Sequence, residues 1–197
     1  MAEQEYLILE WEDIYRMCIE LSKRIKEDDF KPDVIVGVAR GGWIPARILS
    51  DLLENTNLAN IKAEFYEDVA KTGKKPRITQ PVSTDVRGLK VLVVDDVSDT
   101  GLSLSEVRKS LVQEGAGEIK IATLHYKPHS VLKPEYYVDE TSAWIVYPHE
   151  RYEFIKSTIR KMRNLNLTEV KEWFKKIGFK APYTEQLIEE AWKTIKV

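Results

Sequence analysis

The stretch "VLVVDDVSDTGLSL", residues 91–104, decides how this chain is read. Four consecutive apolar residues, Val91 to Val94, run into Asp95 and Asp96, and Asp99 follows before Thr100 and Gly101. An unbroken apolar run ending in polar residues is a strand buried on both faces. "LSLSEVRKSLVQEGA" behind it reads as a helix with a glycine stop. A bend from strand to helix offers unpaired backbone N–H groups and the positive end of a helix dipole, which together suit a phosphate. Thr100, Gly101, Leu102 and Ser103 supply those amides. Gly101 permits tight curvature, and Thr100 and Ser103 add hydroxyl donors. Asp95 and Asp96 would repel a phosphate inside the same pocket. Just outside it they accept hydrogen bonds from vicinal hydroxyls or hold a hydrated Mg2+. Phosphate, two hydroxyls and a metal, in that order, describe a 5-phosphorylated ribose.

Three other readings of the cluster compete. A P-loop needs Gly-Lys-Ser/Thr where the helix begins, and this bend has no lysine. A phosphoacceptor domain carries its paired aspartates near the chain start and a further aspartate at the next strand end, where "IATLHY" has none. The third is a capped surface turn with no ligand, which leaves three crowded carboxylates unexplained.

Outward from this stretch, apolar strands and amphipathic segments alternate. "EWEDIYRMCIELSKRIKEDD" carries a helical stripe at Trp11, Ile14, Tyr15, Cys18, Leu21 and Ile25. Strand Val34–Val38 ends in Arg-Gly-Gly, "WIPARILSDLLENT" reads as a helix, and Ile61–Tyr66 and "EIKIATLHY" read as strands. The polar, basic stretch "AKTGKKPRITQPVSTDVRG" reads as a long mobile loop. This alternation predicts an α/β fold with a mainly parallel central sheet flanked by helices, which binds ligands beyond the carboxyl ends of its strands. Both "VARGG" and "VDDVSDTG" fall at such ends. After "YPHE" the texture changes to three amphipathic helical segments, with Asn166 and Glu169 spaced as a capping box, Gly178 as a stop and Thr184 as an N-cap. The division expected is one α/β domain over residues 1–148 and a three-helix bundle over 149–197.

Composition narrows the function classes. At 197 residues with net charge −2, 43% hydrophobic and 31% charged, the chain reads as a soluble globular protein without a general affinity for nucleic acid or membrane. No apolar run reaches the roughly 18 residues of a membrane span. The acidic start lacks the basic region of a secretory signal, so a cytoplasmic location is expected. Cys18, the one cysteine, lies in a helical apolar context and reads as core rather than as a nucleophile.

"VLVVDDVSDTGLS" resembles the PRPP-binding signature of type I phosphoribosyltransferases: an apolar strand, two acids, two linkers, then Asp-Thr-Gly and a small hydroxyl residue. "VARGG" resembles the family's pyrophosphate loop, and the basic stretch from about Glu67 to Gln80 its flexible lid. "TLHYKP" and "AWIVYPHE" resemble the nucleobase region of the 6-oxopurine branch. The resemblance covers residues 1 to about 150, and the helical tail resembles the C-terminal third of crenarchaeal adenine phosphoribosyltransferases. It implies transfer of a purine to the anomeric carbon of PRPP, with Mg2+, and the family's usual homodimer. It assigns the 5′-phosphate to Asp99, Thr100, Gly101, Leu102 and Ser103, and the ribose or its metal to Asp95 and Asp96. The diphosphate falls to Ala39, Arg40, Gly41 and Gly42, with a non-proline cis peptide at Ala39–Arg40. Asp99 becomes the acid–base group beside purine N7, although aspartate there also suits an N-cap. Lys71, Lys74, Lys75 and Arg77 make the lid basic, as a merely soluble loop also would be.

The base falls to Lys127, Trp144, Ile145 and Glu150 by the same resemblance, with plain core packing as the alternative for Trp144. Lys127 matches a lysine that donates to a 6-oxo group, whereas the tail points to adenine. The sequence reading chooses adenine plus PRPP giving AMP and diphosphate, with hypoxanthine, guanine or xanthine as the alternative. A PRPP-binding regulator is a third reading, but it calls for a basic face, and "KEWFKKIGFK" is the one basic run of the tail.

Overall fold

The computed structural model describes residues 4–67, 74–162 and 164–196. In chain order the elements are β1 (Tyr6–Ile8), α1 (Trp11–Glu27), β2 (Val34–Ala39), α2 (Trp43–Leu52), β3 (Leu58–Glu67), β4 (Lys74–Gln80) and β5 (Lys90–Ser98). Then come α3 (Leu102–Gln113), β6 (Glu118–Tyr126), β7 (Tyr136–Glu140), β8 (Trp144–Val146), α4 (Arg151–Lys161), α5 (Leu167–Lys176) and α6 (Thr184–Lys196). They form two compact units, residues 14–142 and residues 1–13 with 143–197.

Unit 14–142 is an α/β fold around a six-stranded sheet ordered β4-β3-β2-β5-β6-β7. Every neighbouring pair is parallel except β3 and β4. The apolar runs of β2 and β5 lie side by side, Val34 against Val91 and Gly37 against Val94. On one face of the sheet Val36, Val38, Val91, Val93 and Ile121 pack with Leu104, Val107 and Leu111 of α3. On the other, α2 approaches so closely that Ala46 Cβ lies 3.1 Å from where a side chain on Gly37 would begin. From β2 the chain proceeds outward to β3, and from β5 it proceeds the opposite way to β6. The order therefore reverses between β2 and β5, the topological switch point at which open α/β sheets bind ligands.

Two local expectations are corrected in this unit. Seven residues of the loop expected after β3 form strand β4, antiparallel to β3 with Phe65 opposite Pro76 and Glu67 opposite Lys74. It reads as loop because it is an edge strand, where proline and exposed cations such as Lys75 and Arg77 prevent further pairing. Lys71, expected in the lid, lies outside the described residues. The α1 stripe is rotated: Ile14, Met17, Cys18, Leu21, Ser22 and Ile25 are buried, while Trp11 and Tyr15 are about half exposed. At 100° per residue Tyr15 falls outside a face centred on positions 14, 18, 21 and 25, whereas Trp11 falls on that face but is the first residue of the helix. Burial pushes the Cys18 thiol up to about 12, which fits its expected role as core.

In the second unit, α4, α5 and α6 enclose Ile155, Ile159, Val170, Phe174, Ile188 and Ala191. The unit also takes in β1 and β8, which pair in parallel with Tyr6 opposite Trp144. The compact unit thus begins before residue 149 and draws in the chain start. Tyr6 meets Phe154 and Trp173 edge-on, and Arg151, 1% exposed, donates to Leu9 O at 2.8 Å and to the Tyr183 hydroxyl at 2.7 Å. The Asn166–Glu169 capping box forms in both directions, and Gly178 ends α5 with φ +107°. Thr184 is instead the first residue of α6, and its buried Oγ1 has no hydrogen-bond partner among the described residues.

Candidate functional site

At the switch point, β2 runs into a loop with a cis peptide at Ala39–Arg40, as the family resemblance implies. The Gly42 N–H turns back to Val38 O at 2.9 Å, and α2 begins at Trp43. This loop lies directly on the end of β5. A Cβ on Gly41 would meet Asp96 Oδ2 at 2.1 Å, and one on Gly42 would meet Val94 O at 2.2 Å. Only glycine allows so close an approach.

Asp95 and Asp96 occupy consecutive positions of β5, so their carboxylates leave the strand on opposite faces. Asp96 is 6% exposed and faces Gly41. Asp95 is half-buried, and its Oδ1 accepts the Asp96 N–H at 3.0 Å. After β5 the chain turns through Asp99 and Thr100 into Gly101, whose φ is +75° and which stands at the N-cap of α3 without any side-chain cap bond. Asp99 is therefore not the cap that its residue type suggested. Its exposed carboxylate has Oδ1 3.4 Å from His129 Nε2 instead. The one cap-like contact is a long one, from Leu102 N–H to Thr100 Oγ1 at 3.4 Å.

The turn rests on the segment after β6. Val131 N–H donates to Thr100 O at 3.0 Å, and Ser98 Oγ donates to Leu132 O at 2.8 Å. A Cβ on Gly101 would sit 2.5 Å from Ser130 Oγ and 2.6 Å from Leu132 N. Positive φ and missing space both demand glycine. With the turn held in this way, the first amides of α3, from Leu102 and Ser103 onward, form the end of a helix whose N–H groups lack intrahelical partners.

Lys127 follows β6 directly, 6% exposed, its N–H donating to Ser98 O at 3.0 Å. Burial lowers its pKa, and the Asp99 charge partly opposes that shift. His125, two residues earlier, carried no expected role, although a histidine in an otherwise apolar strand was its visible signal. It is 1% exposed, and burial pulls its pKa down to about 4 against the charges of Asp139 and Asp96. Its neutral form is the folded form. Between pH 6.5 and 4 the unfolded chain binds the extra proton, so stability is complete above about pH 6.5 and declines toward pH 4 by about 3 kcal/mol. Urea titrations across this range should show the slope in the wild type and a shallower one in His125→Gln.

Ala39 to Gly42, Asp95, Asp96, Asp99 to Ser103 and Lys127 thus share one end of the sheet in unit 14–142. Trp144, Ile145 and Glu150 belong to the other unit, on β8 and just before α4. Trp144 is 57% exposed, so its indole is not core.

The profile of the phosphoribosyl transferase domain matches residues 7–175. Xanthine phosphoribosyltransferase 1 of Saccharomyces cerevisiae is 27% identical over 201 residues, covering 81% of this chain and 96% of that protein. The hypoxanthine-guanine phosphoribosyltransferase of Schizosaccharomyces pombe is 27% identical over 200 residues, covering 81% and 97%. Among solved structures, a purine phosphoribosyltransferase from Pyrococcus horikoshii is 44% identical with a TM-score of 0.67, covering 74% of this chain and 93% of that one. A profile that spans most of the length shows that the chain belongs to the phosphoribosyl transferase domain family.

Proposed function

We propose that this protein is a purine phosphoribosyltransferase acting on a 6-oxopurine, which joins hypoxanthine, guanine or xanthine to PRPP and releases diphosphate. The observation that carries the reading is the seating of the Arg40–Gly42 loop against Asp96, beside the glycine-led start of α3. The α3 amides and the Thr100 and Ser103 hydroxyls hold the 5′-phosphate. Asp95 and Asp96 accept from the ribose hydroxyls, and Arg40 with the Gly41 and Gly42 backbone receives the diphosphate.

In the reaction, purine N9 forms its bond to the anomeric carbon as the bond to the diphosphate oxygen breaks, with the electron pair leaving on the diphosphate. Asp99 accepts the proton released at N7. Cationic and amide donors around the diphosphate stabilise the charge that develops there. An all-oxygen donor set of carboxylates, hydroxyls and diphosphate fits Mg2+. Because Asp95 and Asp96 diverge, an ion would draw on one of them and take its other ligands from PRPP and water. When bound, it neutralises charge on the diphosphate.

The choice of base departs from the adenine reading. The two relatives covered over nearly their whole length are named for xanthine and for hypoxanthine-guanine, and the tail's likeness to adenine enzymes finds no counterpart in either name. A buried lysine head also suits a carbonyl at C6. Facing an amino group, it would set donor against donor, a mismatch that costs about 10⁴-fold in sites built for hydrogen bonding. Initial rates with PRPP, Mg2+ and each of the four purines test this. Turnover of at least one 6-oxopurine well above adenine is expected, and turnover of adenine alone would overturn the reading.

A further inference from the structure

Within unit 14–142, the turn after β6 presents a histidine, His129, to the carboxylate of Asp99. "KPHS", residues 127–130, is a β-turn closed by the Ser130 N–H, which donates to Lys127 O at 2.9 Å. Pro128 takes the second position, where its fixed φ suits the bend, and His129 takes the third. Two backbone bonds fasten this turn to the end of β5, one on either side of His129. Lys127 N–H donates to Ser98 O and Val131 N–H donates to Thr100 O, each at 3.0 Å. Residues 127 and 131 thus face 98 and 100, which brings residue 129 opposite residue 99. A hydroxyl pair adds a lateral tie, Ser98 Oγ lying 2.9 Å from Ser130 Oγ. In this frame His129 Nε2 comes within 3.4 Å of Asp99 Oδ1.

An ionised carboxylate only accepts, so the ring nitrogen facing it carries a proton. At 3.4 Å the contact is longer than a settled N–H···O bond, and catalytic contacts of this kind tighten when the reactants assemble. Lys127, buried at the first position of the turn, acts on the same carboxylate by charge. An N–H held on Oδ1 fixes the rotation of the Asp99 side chain and leaves Oδ2 to the purine. Resting on the proposed role of Asp99, we infer that His129 is a positioning residue, whose Nε2–H holds the Asp99 carboxylate in the orientation that receives the N7 proton. That proton moves from N7 to Oδ2, and His129 keeps its own throughout.

His129 is exposed and is not among the residues with positive φ, so alanine or glutamine takes its place without strain. The test measures kcat and the KM for PRPP, with Mg2+ and the 6-oxopurine that the wild type turns over fastest. The proteins are the wild type, His129→Ala, His129→Gln, Asp99→Asn and the double variant carrying His129→Ala with Asp99→Asn. In His129→Ala kcat should fall about tenfold, with KM for PRPP within about twofold of the wild type. His129→Gln should recover most of the loss, because its amide N–H reaches the place of Nε2. In the Asp99→Asn background His129→Ala should cost less than about twofold, since a residue that acts through Asp99 has nothing left to act on. A kcat for His129→Ala within about twofold of the wild type, or losses that multiply in the double variant, would overturn the inference and leave the 6-oxopurine reading standing. Undiminished turnover in Asp99→Asn would overturn it together with the acid–base role of Asp99. A wild type that turns over no 6-oxopurine with PRPP would overturn both the inference and the proposed function.

Discussion

Gly42→Ala should unfold at a midpoint about 6–12 °C below the wild type, a loss of about 3 kcal/mol or more. The added Cβ would lie 2.2 Å from Val94 O, 2.7 Å from Val38 O and 2.8 Å from Val38 N. All three atoms are backbone, and they belong to the two strands that meet at the switch point, so no side-chain rotation relieves the overlap. Either the loop lifts away from β5 or the β2–β5 ladder opens. Both outcomes also displace the Arg40–Gly42 loop from Asp96, so on the proposed function PRPP binding should weaken along with stability. Gly88→Ala is the matched control. Gly88 has φ +71° and nothing within 4 Å of its Cβ position, so only the left-handed conformation is penalised, at about 1–2 kcal/mol. Equal midpoints for the two variants in thermal melts would show that the loop is not seated on β5 as described.

Asp99→Asn should lower kcat about 10²–10⁴-fold while leaving the melting temperature within a degree or two of the wild type. The two readouts separate because Asp99 holds nothing up. The N-cap position of α3 belongs to Gly101, with no side-chain cap bond to lose. The contact of Asp99 with His129 is a 3.4 Å approach between two exposed groups, of a kind that contributes little to stability. Asparagine keeps the shape and loses the carboxylate proposed to accept the N7 proton. Undiminished turnover in Asp99→Asn would remove Asp99 from the acid–base role. A large drop in melting temperature would return it to a structural one.

The buried half of this fold was legible because its signals are local. An unbroken apolar run such as Val91–Val94 has few alternatives to a central strand, and Arg40-Gly41-Gly42 and Asp99-Thr100-Gly101 mark strand ends by residue chemistry alone. The Asn166–Glu169 box and the Gly178 stop act within one helical turn, and both are in place. Strand β4 escaped notice because an edge strand is polar and carries proline. Strands β1 and β8, of three residues each, escaped because neither shows a pattern until its partner from the far end of the chain is beside it.

Taken alone, the amino-acid order determined the α/β alternation, the strand-to-helix turn after β5 and the glycines its backbone requires, since each depends on φ, on hydrophobic period or on a neighbour a few residues away. Tertiary structure alone decided that the Gly41 loop lies on Asp96, that Gly101 rather than Asp99 stands at the N-cap of α3, and that His125 is buried. It also decided that the chain start belongs with the C-terminal helices. These features join residues tens of positions apart, or depend on the space left by packed neighbours, and no local pattern encodes a distance across a sheet.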